Sequence, residues 1–99
     1  MALTFESAHS SQVLTADGVV GTSGSDTLLF ALVVKGGSAT TRALLYPGTD
    51  ASGTLQEDII APINNTITIN YGERGVFYKG GCYLDITTTA GTVTAIYNQ

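Results

Sequence analysis

Residues 28–34, Leu-Leu-Phe-Ala-Leu-Val-Val, constrain this chain more than any other stretch. The run is apolar throughout and rich in residues that favour a pleated surface. Read as a strand, it points Leu28, Phe30, Leu32 and Val34 one way and Leu29, Ala31 and Val33 the other. A strand of an antiparallel sheet ordinarily keeps one face wet. Here both faces call for cover. One is expected to lie in the domain's own core, and the other, carrying Leu29 and Val33, against a second subunit or a large partner.

The rest of the chain is expected to supply short strands. Residues 2–6 alternate, with Leu3 and Phe5 on one side. Further strands are predicted at 11–15, 27–35, 40–46, 65–71, 76–79, 82–89 and 92–97, with 54–60 a short strand or an irregular arm, separated by Gly, Asn, Asp and Pro turn signals. The cleanest is 65–71, with Ile67, Ile69 and Tyr71 predicted inward and Thr66, Thr68 and Asn70 outward. Asp17-Gly18 reads as a turn. Glu, Lys, Arg and Gln are scarce and 12 glycines punctuate the sequence, so no significant helix is expected. The fold class is therefore all-β: a single antiparallel β-sandwich, jelly-roll-like or a small barrel, over residues 1–99 with about 7–8 short strands. Residues 1–12 form a candidate N-terminal arm, able to pair as an edge strand on its own domain or on a neighbour. Residues 54–63 form a second, because Ile59, Ile60 and Ile63 surround Pro62.

A chain of 99 residues holds one modest core, burying roughly 64% of its extended-chain surface. Only 12% of residues are charged, about half the ~25% of an ordinary domain. Such a surface is kept soluble either by its Thr, Ser and Asn groups or by burial in an assembly. The net charge is −4, with Lys35, Arg42, Arg74 and Lys79 the only cations. Nucleic-acid binding, which needs several phosphate contacts, is not expected. Neither is membrane binding, in the absence of a basic amphipathic helix or a long apolar span. The first residues lack the features of a signal peptide.

Chemistry is thinly provided. His9 is the single histidine, and no nucleophile elbow accompanies it. Cys82, the single cysteine, shares a predicted strand face with Leu84 and Ile86 and reads as a buried, inert thiol. Asp50, Glu57, Asp58 and Asp85 carry oxygen ligands without the spacing of a calcium loop. Residues 21–24 lack the lysine of a phosphate loop, and Asn64-Asn65-Thr66 reads as a turn entering a strand. No catalytic, cofactor or metal residues are expected. The five tyrosines suit interfaces; Tyr78 and Tyr83 read either as the ordinary edge of the core or as an interface cluster at one sheet end.

Residues 75–87, Gly-Val-Phe-Tyr-Lys-Gly-Gly-Cys-Tyr-Leu-Asp-Ile-Thr, followed by Gly91-Thr92-Val93-Thr94-Ala95-Ile96-Tyr97, resemble the closing strands of tailed-bacteriophage capsid decoration (cement) proteins and related small virion proteins. Residues 32–39 are similar to their first long strand and glycine turn, and about two thirds of the chain shares this style. The resemblance implies a structural protein without a catalytic set. It would bind the major capsid protein on the outside of a shell, commonly as a homotrimer, and stabilise the particle after synthesis in the host cytoplasm. Another virion role (tail, connector or fibre base) and a carbohydrate-binding sandwich are the alternatives. The interface candidates are Leu3, Phe5, Leu29, Val33, Ile59, Ile60, Ile63, Tyr78 and Tyr83.

Overall fold

A computed structural model of the chain describes residues 9–99. Leu3 and Phe5, and with them the strand expected at 2–6, lie outside the described residues. The remainder forms strands β1 (Ser10–Leu14), β2 (Gly18–Val19), β3 (Thr27–Lys35), β4 (Thr41–Pro47), β5 (Glu57–Ala61), β6 (Thr66–Asn70), β7 (Val76–Tyr78), β8 (Cys82–Thr87) and β9 (Thr92–Asn98). There is no helix among them.

Two antiparallel sheets make a small β-sandwich. The larger has the order β1-β9-β3-β6, with β7 also pairing β3; the smaller has the order β2-β8-β4-β5. Alternation dictates what faces the space between them. β9 turns Val93 and Ala95 inward, β8 turns Cys82, Leu84 and Ile86, and β4 turns Ala43 and Leu45, all buried. Ile67, Ile69 and Tyr71 pack on this core from the edge, as their spacing predicts.

β3 departs from simple alternation. Leu29 pairs with Tyr97 and Ala31 with the adjacent Ile96, leaving Phe30 as an extra residue. This β-bulge shifts the side-chain phase by one position. Thr27 and Leu29 face the core before it, Leu32 and Val34 after it, and all four are fully buried. The expected grouping of Leu29 with Val33 is thereby corrected: Leu29 is a core residue, whereas Val33 stays on the outer face. Opposite the bulge the chain leaves β6 at Tyr71 and rejoins the sheet as β7 at Val76. Gly75 makes that return with φ 70°, and a Cβ there would press on Leu29 O at 2.9 Å and the Phe30 ring at 3.0 Å.

Two other expectations change, and an open one is decided. Gly18–Val19 is not merely a turn but a two-residue strand on β8, where the Asp17 carboxylate accepts the Ile86 N–H at 2.7 Å. Of the two readings of 54–60, a short strand or an arm, the strand is the one formed: 57–61 are the edge strand of the smaller sheet, paired along β4. Ile59 thereby points into the core, at 6% exposure. Pro62 sits just past the last ladder residue, where its missing N–H interrupts nothing.

Candidate functional site

The outer face of the larger sheet gathers the residues most suited to contact. β3 presents Leu28, Phe30, Ala31 and Val33 there, β9 presents Ile96, and β1 and β7 present Val13 and Phe77. Val13 and Phe77 are 61% and 58% exposed. The register places Val13, Thr94, Val33 and Thr68 in one row across the sheet, and Ser11, Ile96, Ala31 and Asn70 in the next. A third row runs Asn98, Leu28, Phe77. His9 covers part of this face, its ring stacked on Phe30 with centroids 4.0 Å apart and planes 9° from parallel.

At the end of the third row an open groove of about 320 Å³ lies between Asp26, Leu28, Phe77, Asn98 and Gln99. Its walls are fixed. The Gln99 amide donates to Val20 O at 3.2 Å, Thr22 O at 3.1 Å and Thr27 Oγ1 at 2.9 Å, and its oxygen accepts the Thr22 N–H at 2.9 Å. Asp26 accepts the Gly80 N–H at 2.7 Å.

Charge is divided between the sheets. The five strands of the larger sheet contain one charged residue, Lys35, at the end of β3. The four strands of the smaller sheet contain Arg42, Glu57, Asp58 and Asp85. Arg42 and Asp58 form a bidentate pair at 2.9 and 2.7 Å, which holds the Asp58 carboxyl below its usual range. Asp85 is pushed up, first by desolvation and then by the neighbouring Asp17 carboxylate.

The sequence-derived interface candidates do not form one patch. Val33 lies on the outer face of the larger sheet. Ile60, 53% exposed, lies on the outer face of the smaller sheet, and Ile63, also 53% exposed, in the turn before β6. Tyr78 and Tyr83 are not clustered. Tyr78 pairs opposite Thr27 and points inward at 2% exposure. Tyr83 faces outward from the smaller sheet beside Tyr46, with ring centroids 6.5 Å apart. Phe77, Val13 and Ile96 are apolar residues of the larger sheet's outer face that the sequence reading did not single out as contact candidates. The alternation of Thr92, Thr94 and Ile96 against Val93 and Ala95 held the signal for Ile96.

Chemically reactive groups are muted. Burial pushes the Cys82 thiol up to about 12, so it is protonated at neutral pH. Among the described residues no three His, Cys, Asp or Glu side chains converge as metal ligands. No family model, curated protein or solved structure matches the chain.

Proposed function

We propose that this chain is a structural subunit without catalytic activity that coats the outside of a phage capsid and stabilises the shell, docking through the outer face of its larger sheet. The observation that carries the reading is the concentration of apolar side chains, with almost no charge, on that one face. The cores of protein interfaces are depleted of charge in this way, whereas solvated faces are not. Val33, Ile96, Ala31, Phe77 and Val13 supply contact area, and the threonines between them keep the face soluble before assembly. The identity of the partner, a major capsid protein, rests on the resemblance of residues 75–97 to decoration proteins. A subunit that binds only the assembled lattice stabilises it by mass action, with no chemistry required.

Co-sedimentation with shells assembled from the accompanying major capsid protein tests this. The expected result is saturable binding to expanded shells, at a copy number that scales with the lattice, and loss of binding in Val33→Asp. Binding at only a few copies per particle would move the role to a tail, connector or fibre base. Absence of binding to any particle overturns the reading. A carbohydrate-binding role has one observation in its favour, the Tyr46–Tyr83 pair near Asp85 on the smaller sheet. A glycan array without hits removes it.

A further inference from the structure

β6 closes one side of the larger sheet: β3 pairs its inner side, and no described strand pairs the other. Hydrogen bonds beyond both of its ends fix the phase of its ladder. Gly36 N–H donates to Asn65 O and Tyr71 N–H donates to Phe30 O, each at 2.8 Å. Bonded and non-bonded pairs alternate along an antiparallel ladder. Between those two ends, Ile67 with Val34 and Ile69 with Leu32 are therefore the bonded pairs. The peptide groups of Thr66, Thr68 and Asn70 point the other way, along the open edge.

Edges of this kind are normally blunted by a charge, a proline or a bulge. β6, Thr-Ile-Thr-Ile-Asn, has none of these. The edge strand of the smaller sheet, β5, carries Glu57 and Asp58. The turn at 62–65 and the loop at 72–75 bracket β6, so an incoming strand finds a short, defined window.

We infer that this edge pairs with the same edge of a second copy of the chain, antiparallel, about a two-fold axis through Thr68. The inference rests on the proposed reading of the chain as a structural subunit of a larger assembly. The sequence of β6 is self-complementary in this register. Thr68 meets Thr68 of the second copy, and Thr66 meets Asn70. These are the residues whose peptide groups face the edge, so each outward N–H finds an outward carbonyl. Ile67 meets Ile69 of the second copy at a non-bonded position, where Cα atoms approach to about 4.5 Å. Both isoleucines are only partly buried against their own core, and each copy covers those of the other. In a chain of net charge −4, an uncharged edge lets two copies meet with little repulsion. The axis stands perpendicular to the sheet, so the two apolar outer faces lie side by side and the docking surface doubles. Closed symmetry of this kind stops at two chains, where the family resemblance carries a three-fold expectation.

Amide hydrogen exchange read by NMR at rising concentration, with the mass of each sample from light scattering, tests the pairing. The expected mass rises from one chain to two and stops. Exchange at Thr66, Thr68 and Asn70 slows in step, by about tenfold or more, while Ile67 and Ile69 remain protected throughout. Thr68→Pro removes only an outward N–H, at a position where an edge strand tolerates proline, and is expected to stay folded and monomeric. A wild-type chain that stays monomeric with those three amides exchanging freely overturns the inference. Protection already complete at the highest dilution also overturns it, because a strand of the same chain then occupies the edge. Growth past two chains, or association that persists in Thr68→Pro, overturns it while leaving shell binding through the apolar face intact. Loss of shell binding with the pairing preserved sinks the shell reading alone. Should Thr68→Pro fail to fold, the concentration dependence of the wild-type amides decides.

Discussion

Gly91 shows how tightly single positions are specified where the two sheets meet. A Cβ at this buried glycine would collide with Thr41 Oγ1, Thr88 Oγ1 and the carbonyl of Lys35. The same hydroxyls hold each other at 2.6 Å, and Thr88 Oγ1 accepts the Gly91 N–H at 3.0 Å. An added methyl must therefore displace a buried polar network as well as backbone. Gly91→Ala is expected to cost about 2–3 kcal/mol, read as a lowered denaturant midpoint at unchanged m-value. Asp85 makes a prediction of the opposite sign. Its carboxyl is raised by desolvation and then by Asp17, so the folded state holds its proton more tightly than the unfolded chain does. That contribution is fully present below the ordinary carboxylate value and is lost as the pH rises from there through the raised folded-state value. Asp85→Asn is accordingly expected to raise the urea midpoint at neutral pH and to leave it unchanged in acid. Neither feature was legible in the sequence: Gly91 read only as a turn, and nothing local places Asp17 beside Asp85.

Among the elements, β3 is the most instructive. Its span was legible from composition, since an apolar run ending at Gly36 admits few other readings. Its facing was not. The bulge at Phe30 swaps which residues look inward half-way along the strand, and an all-apolar run carries no polar residue to mark the slip. The consequence is testable with one pair of variants. Leu29→Asp places a carboxylate in the closed core and is expected to unfold the domain. Val33→Asp places it on the outer face, and the far-ultraviolet circular dichroism and thermal midpoint of the native chain are expected to survive. Equal behaviour of the two variants would mean that the phase shift is absent in solution. β5 was left open between a strand and an arm for a related reason. Pro62 looked like a breaker within an arm, but it falls one residue beyond the ladder, so the strand before it pairs normally.

For the whole molecule, the sandwich itself was legible: alternation and turn residues every few positions leave little else for such a chain to form. The division of charge was not, because the strands of the two sheets are interleaved along the sequence and only their pairing sorts Lys35 from Arg42, Glu57, Asp58 and Asp85. Docking through a nearly uncharged face should be insensitive to screening. Shell binding is therefore expected to hold from low to high sodium chloride, as read by co-sedimentation. A steep loss with salt would instead place the contact on the smaller sheet. The same division fixes what the molecule shows to the solution once its apolar side is covered. Asp58, Asp85 and the nearby Asp17 and Asp50 would then look outward from every bound copy, with Arg42 the one cation in the strands of that sheet to offset them. A particle wearing this protein would take on an anionic skin, and its drift toward the anode in an electric field would count the copies bound.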